Sequence, residues 1–253
     1  MELSARDAPA PTLRTHRVPL ADGAVTSLHV AAFALGSVRA RVALLPGDLP
    51  LERWCREERI EHAVVGGFFV RPHNTPLGEL RVDGRPMASE PFLSPWDAVR
   101  ASVHADGDAV AIGRRPDLPA APAGDLLQAG PLLVRDGASA ITGEDTEGFT
   151  AGAAQFDSDI SEGRHPRSAL ALTATQLLAV ACDGRHDDEA GLTLGELADA
   201  LVGLGAHTAL NLDGGGSTSL VFDGELVNTP REDHGIALLG GRSIATALVF
   251  TPG

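Results

Sequence analysis

Lysine and tyrosine are both absent from this chain of 253 residues, so its twenty basic residues are all arginine. Without lysine, the chain has no side chain for Schiff-base chemistry and cannot form the lysine-containing phosphate loop of Walker A proteins. A basic contact to phosphate must therefore come from arginine, whose planar guanidinium can bind an oxyanion through two hydrogen bonds at once.

Cysteine is scarce as well. Cys55 and Cys182 are the two cysteines, and neither belongs to a CxxC motif, so we expect no disulfide framework. Free cysteines most often behave as small buried apolar residues, and we interpret both in that way. A nucleophilic Cys182, one residue before Asp183, is the alternative.

Long apolar runs are also missing, since no window approaches 18 consecutive apolar residues, and this predicts no membrane partner. The first twenty residues lack a basic segment followed by an apolar one, so we expect a cytoplasmic protein. The formal net charge of −14 would repel nucleic acid on average and disfavours it as a partner.

The residue patterns favour one α+β domain over residues 26–253, with a mixed β-sheet core and a few helices, after a loose arm at 1–25. The arm is expected to hold at most an edge strand. One helix is predicted within 47–60, with Asp48 as its N-cap. A second is predicted within 192–206, where Thr193 and Glu196 match a capping box. Four Asp-Gly pairs, at 83–84, 106–107, 136–137 and 223–224, indicate turns between strands.

The most unusual stretch is ALNLDGGGSTSLVFDGE, at 209–225, where three glycines lie between an acid and a run of hydroxyls. Consecutive glycines can form a concave group of backbone N–H donors that binds anions, although a bulged turn between strands is the simpler alternative. Actin-like kinases place one residue between the acid and the glycines, whereas Asp213 directly precedes Gly214. A dinucleotide site would need GxGxxG followed by a helix, but here the strand-like SLVF follows.

Several ordered segments together resemble the phosphodiester glycosidase family. The resemblance extends over about residues 30–250 and is strongest at 164–221. The segments that carry it are VVGGFF (64–69), AGPLLVRDG (129–137), RHPRSALAL (164–172), CDGR (182–185), NLDGGGSTSLV (211–221) and GRSIATALVF (241–250). The family's asparagine before Gly-Gly is Val65 here. The resemblance implies a hydrolase that acts on a small glycosyl phosphodiester. We expect no cofactor and assign no metal ligands, and any metal requirement stays open.

The strand ends supply groups suited to such a substrate. Arginine suits the singly charged phosphate, and a carboxylate suits the positive charge that develops at the anomeric carbon. Asp183 and Arg185 end one predicted strand, and Asn211 and Asp213 end another. If the capped helix is a crossover, these strands are parallel and both ends open at one edge of the sheet, where ligands usually bind.

We therefore predict a site assembled from distant segments. The expected catalytic residues are Asp213, Asp183 and His165. The expected substrate- and phosphate-binding residues are Arg167, Arg185, Asn211, Gly214, Gly215, Gly216, Ser217, Thr218, Arg242 and Gly67. The acids and histidine at 186–189 are interpreted as a solvated loop and not as a metal site. Two other functions stay open: a sugar-phosphate binding protein without activity, which Val65 would favour, and a phosphodiesterase that cuts the P–O bond.

Overall fold

The structure, a computed structural model, describes residues 9–47, 49–149 and 161–253, and β-strands dominate this part of the chain. The strands are β1 (Thr12–Pro19), β2 (Val25–Ala34), β3 (Val38–Leu44), β4 (Ala63–Val65), β5 (Phe69–Val70), β6 (Thr75–Pro76), β7 (Leu80–Val82), β8 (Arg85–Pro86), β9 (Ala101–Asp106), β10 (Ala109–Arg114), β11 (Asp125–Gln128), β12 (Leu132–Arg135), β13 (Ala138–Ser139), β14 (Arg167–Leu172), β15 (Gln176–Cys182), β16 (Thr208–Asn211), β17 (Leu220–Phe222), β18 (Glu225–Leu226) and β19 (Thr246–Pro252).

The described residues form two α-helices, both within the predicted ranges. Helix α1 (Leu51–Glu58) begins after Pro50, and the predicted cap Asp48 lies outside the described residues. Helix α2 (Leu194–Gly203) has the predicted capping box, because Thr193 and Glu196 each accept a hydrogen bond from the backbone N–H of the other. Two orphan donors at the first turn of α2 are thereby satisfied.

All four predicted Asp-Gly turns connect antiparallel neighbours. At three of them, 83–84, 136–137 and 223–224, both residues have positive φ. That is the backbone of the two-residue type I′ hairpin, which suits the twist of the flanking strands. These hairpins are fixed by local chemistry, and they form as predicted.

The principal sheet has seven strands in the order β1-β2-β15-β14-β16-β12-β13. Strand β1 is its edge and pairs with β2 along its whole length, so the segment expected to be a loose arm includes an ordered strand. Two five-stranded sheets, β18-β17-β4-β19-β3 and β10-β9-β11-β7-β8, and the small β5-β6 pair complete the fold. The α+β expectation therefore holds only loosely, since sheets make up most of the structure.

The seven-stranded sheet is buried on both faces. Along β15, Leu178 and Val180 join the core beneath α2, while Leu177 and Ala179 join the larger core that the smaller sheets share. Because successive side chains of a strand point to opposite faces, an uninterrupted apolar run is what a strand buried on both faces requires. The principal sheet is the middle layer, and its rigid strand ends position the site described next.

Candidate active site

Three predicted site residues lie at one edge of the principal sheet. Strands β15 and β16 both pair antiparallel with β14, which lies between them, so β15 and β16 run parallel to each other as the crossover helix predicts. Asp183 directly follows β15, Asp213 lies just beyond β16, and Arg167 begins β14. Two carboxylates and one guanidinium group, from segments far apart in sequence, therefore lie close together at this edge.

The three glycines lie against this edge and against two arginines from other loops. A Cβ atom at Gly215 would lie 3.2 Å from Nη1 of Arg185, and one at Gly216 would lie 2.8 Å from Nη2 of Arg242. Gly215 also has a φ of 59°, which larger side chains rarely adopt. A larger residue here would displace the two guanidinium groups, which approach the main chain directly.

The amides of the glycine run are partly engaged within the protein. The N–H of Gly214 donates to Oδ1 of Asp213 at 2.9 Å, and the N–H of Gly215 donates to the carbonyl of Pro166 at 2.9 Å. Neither amide can donate to a ligand without giving up its present bond. An anion at this place would therefore depend mainly on the guanidinium groups.

Asp213 is the carboxylate at the centre of this arrangement. Burial raises the pKa of its carboxyl to about 6, in opposition to the Ser217 hydroxyl, the Gly214 amide, and the charges of Arg242 and Arg71, which all lower the pKa. The side chain is nevertheless only half-buried, so water or a ligand can reach it. A carboxyl with a pKa near 6 is mostly ionised at neutral pH and still basic enough to accept a proton.

Several buried polar atoms around the glycine run have no hydrogen-bond partner among the described residues. They are the hydroxyls of Ser168, Thr218 and Ser219 and Oδ1 of Asn211. Buried polar atoms normally have a partner in the protein or an ordered water, and exceptions often mark a functional site. Because these atoms are buried, a ligand could reach them only if the surrounding loop moved.

Arg185 and Arg242 each hold an acid from the same loop. Nη2 of Arg185 lies 2.7 Å from Oδ1 of Asp233, and Arg242 binds both carboxylate oxygens of Glu232 through Nε and Nη2. Arg185 also has a φ of 58°, a conformation that costs energy for a residue with a side chain. The surrounding structure thus holds Arg185 in a strained position facing the glycines.

Arg167 and His165 lie next to this group. Nε2 of His165 lies 3.0 Å from the carbonyl oxygen of Glu162, and its Nδ1 has no hydrogen-bond partner among the described residues. Arg167 is buried, and its guanidinium donates to the carbonyls of Leu192 and Gly163. Burial and the charges of Arg167 and Arg185 lower the pKa of His165, so the imidazole is neutral at pH 7. A neutral imidazole is a poor general acid, which makes the acid role predicted for His165 a weak one.

Asp183 is bonded through both oxygens. Oδ2 lies 2.7 Å from Nε2 of His29, and Oδ1 accepts from the N–H of Thr229 at 2.8 Å. On the other side of the ring, Nδ1 of His29 lies 3.0 Å from the hydroxyl of Thr15. Asp183 therefore ties β2 and the loop after β18 to the site edge, and this geometry suits a positioning residue better than a nucleophile.

The other predicted binding residues also have partners within the fold. The amide of Asn211 donates to the carbonyls of Gly130 and Leu212, and the N–H of Gly67 donates to the Thr246 hydroxyl. Thr218 is fully buried beneath the loop. These contacts place Asn211, Gly67 and Thr218 in the wall of the site, where they hold the glycine run and strand β4 in place.

Sequence reasoning missed Arg71, His29, Glu232 and Asp233. The charge of Arg71 acts on Asp213 from a loop that precedes β6. Glu232 and Asp233 follow Arg231 in a charged, glycine-containing loop, which carries no pattern that assigns a role. The proximity of Arg185 and Arg242 to one loop became visible only in the tertiary structure.

Other features of the chain do not compete for this role. Burial raises the pKa of the Cys182 thiol to about 12, so that thiol is inert at neutral pH. No group of three or more potential metal ligands occurs within residues 9–47, 49–149 and 161–253. In the same ranges, no helix is long and apolar enough to cross a membrane.

A cavity of about 290 Å³ lies away from the glycine run, between β12 and the start of α2. Its described lining includes four acids, Glu144, Asp145, Glu147 and Glu162, and no arginine. A lining of one negative sign would repel a phosphate ester. We therefore place the candidate phosphate site around Asp213 and not in this cavity.

Comparison with known proteins agrees with this geometry. The family model of the phosphodiester glycosidases matches residues 58–251, which include the described site around the glycine run. The chain belongs to the phosphodiester glycosidase family. As a member of that family, it is a hydrolase. No curated protein matches the chain.

Solved structures share the phosphodiester glycosidase fold at low sequence identity. The catalytic domain of zebrafish N-acetylglucosamine-1-phosphodiester alpha-N-acetylglucosaminidase, auto-inhibited by its pro-peptide, has a TM-score of 0.72 and 21% identity over 96% of this chain and 84% of that one. A hypothetical protein from Synechocystis has a TM-score of 0.63 and 19% identity, over 96% and 64%. A putative exported protein from Burkholderia pseudomallei has a TM-score of 0.59 and 16% identity, over 91% and 74%.

Proposed function

We propose that this phosphodiester glycosidase hydrolyses a small glycosyl-1-phosphodiester, a biosynthetic intermediate, at the bond between the anomeric carbon and the phosphate oxygen. The observation that carries the proposal is the position of Asp213, whose half-buried carboxyl lies beside the glycine run and the guanidinium of Arg242. A carboxylate and a phosphate-binding cation side by side are what this reaction needs.

The phosphate half of the substrate would bind Arg185 and Arg242. Each guanidinium has five N–H donors in a fixed plane, and the acids that hold these arginines use only some of them. An ester oxygen would meet the N–H groups that these contacts leave unused, because the nitrogens nearest Gly216, Nη2 and Nε of Arg242, already bind Glu232.

The sugar half would place its anomeric carbon against Asp213. In the ionised form, the carboxylate either attacks that carbon or removes a proton from the attacking water. The C–O bond then breaks, its electron pair leaves with the phosphate oxygen, and the water oxygen ends on the sugar. A phosphate monoester is a weakly basic leaving group, so it departs with little protonation, and the pathway does not depend on His165 as an acid.

Hydrolysis in oxygen-18 water distinguishes this function from its alternatives. A nitrophenyl or uridine sugar phosphodiester would be incubated with the protein, and the products would be analysed by mass spectrometry. Label in the sugar is the expected result, since the C–O bond breaks. Label in the phosphate would mean a phosphodiesterase that cuts the P–O bond, and the absence of product would favour a binding protein in which Val65 replaces the family's asparagine.

A further inference from the structure

One loop brings two carboxylates onto Arg185 and Arg242, the two arginines that face the glycine run. This segment, residues 230–241, folds back on itself: the N–H of Leu238 donates to the carbonyl of Pro230, and that of Glu232 donates to the carbonyl of Ile236. The closed shape holds Glu232 and Asp233 at fixed positions. We call residues 230–241 the acidic strap.

The acidic strap fits closely against Arg185. A Cβ atom at Gly235 would lie 2.6 Å from the carbonyl oxygen of Arg185, and Nη1 of Arg185 donates to the carbonyl of Arg231 at 3.0 Å. Gly235 has a φ of 78°, which suits glycine at this contact. The acids therefore meet the arginines as a consequence of backbone packing, and not through chance contacts of long surface side chains.

From this arrangement we infer that Glu232 and Asp233 determine which charge state of phosphate the site accepts. The inference rests on the proposed function, in which a phosphodiester is the substrate and a phosphate monoester is a product. Near pH 8 a diester carries one negative charge and a monoester about two. With one carboxylate on each arginine, a bound dianion is repelled more strongly than a bound monoanion, so the site retains the diester and releases the monoester.

The geometry leaves room for this discrimination because the acids do not use every donor. Glu232 occupies the Nε–Nη2 edge of Arg242, and Asp233 contacts a single nitrogen of Arg185. A phosphate can bind the remaining N–H groups while both carboxylates stay close. In such an arrangement, the repulsion grows in proportion to the charge of the ligand.

This proportionality gives a quantitative test with Glu232→Gln, which keeps the shape of the side chain and removes its charge. If the affinity for a monoanion rises by a given factor, the affinity for a dianion rises by the square of that factor. We expect a gain of about threefold for the diester and about tenfold for the monoester, since Glu232 is partly exposed and water screens its charge, so the effective dielectric is closer to that of water than to 20.

The probes are phenyl phosphate and its methyl ester, methyl phenyl phosphate, titrated into the protein by calorimetry at pH 8. Neither has a glycosidic bond, so their binding does not depend on hydrolysis. Asp233→Asn is a second variant, which removes the carboxylate that contacts Arg185. The side chain of Asp233 is mostly exposed, so we expect this variant to fold normally. Asp117→Asn is the matched control, because Asp117 binds Arg135 at 2.7 Å on another part of the surface.

The inference holds if both site variants raise the affinity for the monoester more than that for the diester while Asp117→Asn changes neither. It is overturned if the ratio of the two affinities stays as in the unaltered protein, if both affinities fall, if the control shifts the ratio equally, or if neither probe binds any of the proteins. If both probes bind as expected but no glycosyl phosphodiester is cleaved, the proposed hydrolysis fails and the charge discrimination stands.

Discussion

Two groups of arginines in this protein show how the same side chain serves packing in one place and ligand binding in another. Arg100 is completely buried, with its guanidinium 4.0 Å from the centre of the Phe92 ring and 4.2 Å from that of Phe149. It also donates to the carbonyls of Glu147 and Gly148. Burial lowers the pKa of Arg100 to about 10, but the group remains charged at neutral pH.

Arg185 and Arg242 have the opposite surroundings. Their side chains are 14% and 22% exposed, no aromatic ring among the described residues stacks on them, and they face glycines beside the half-buried carboxyl of Asp213. Arg100 has an apolar cage that would resist any ligand. The comparison teaches that the accessible polar surroundings of an arginine, more than its charge or burial, indicate a binding role.

The largest effect is expected at the carboxyl that distinguishes the second group. Asp213→Asn should lower kcat by about a thousandfold or more, because the amide can neither accept the proton nor stabilise the positive anomeric carbon. Steady-state rates on a nitrophenyl sugar phosphodiester would measure this, with circular dichroism to verify the fold. Near-normal turnover in this variant would remove Asp213 from the catalytic role.

Arg100→Met tests whether the buried arginine has a structural role. Removing the guanidinium leaves the carbonyls of Glu147 and Gly148 without their buried donor and leaves Arg114 as the remaining positive charge beside the Glu147 carboxyl, so the free energy of unfolding should fall by about 3–5 kcal/mol. Urea denaturation measures the loss, and the folded fraction should keep its normal KM. Arg53→Met, at an exposed pair with Glu57, is the control and should change stability by less than about 0.5 kcal/mol. A large rise in KM for Arg100→Met would contradict its structural role.

Arg185→Lys tests whether Arg185 binds the phosphate, because the substitution retains the positive charge and removes the guanidinium. Lysine lacks the planar fork, so the affinity for the phosphodiester should fall by about 10- to 100-fold, while that for the free sugar should change little. Calorimetric titration with each ligand gives the two values. An equal loss for both ligands would show that Arg185 does not bind the phosphate.

Gly216→Ala displaces the other guanidinium. The new Cβ would lie 2.8 Å from Nη2 of Arg242, so that side chain must shift, and we expect KM to rise by about tenfold. Gly203→Ala is the matched control, because a Cβ there meets no atom within 4 Å and alanine favours the helix. If Gly216→Ala behaves like Gly203→Ala, the close approach of Arg242 has no functional importance.

The smallest expected effect is the pH dependence that Asp213 imposes. Its carboxyl has a pKa of about 6 and acts in the ionised form, so kcat/KM should rise with pH through about 6 and then level off. Because the pKa in the folded protein exceeds the ordinary aspartate pKa of 3.8, folding binds a proton between these values, and the contribution of Asp213 to stability declines as pH rises through that window. A pH–rate profile that is flat from pH 5 to 8 would contradict this assignment.

Local features of the fold were predictable from the sequence because each depends on residues a few positions apart. The capping box of α2 needs only Thr193 and Glu196, and each Asp-Gly hairpin needs only its own turn. The resemblance of ordered segments to the phosphodiester glycosidases was also visible, and the family model confirms it. By contrast, the edge strand β1 has no marked pattern of its own, since its partner β2 decides its conformation.

The sequence by itself determined that phosphate chemistry here must use arginine, that the glycine run is a special backbone position, and that the ends of β15 and β16 share one edge. Only the tertiary structure decided which arginines meet the glycines and that the acidic strap holds Arg185 and Arg242. It also decided that Asp183 is engaged by His29 and Thr229 while Asp213 is left half-buried with a raised pKa. The physical reason is that hydrogen bonds, burial and pKa depend on distances between segments that the sheets bring together. Residues that are neighbours in the sequence do not determine these distances.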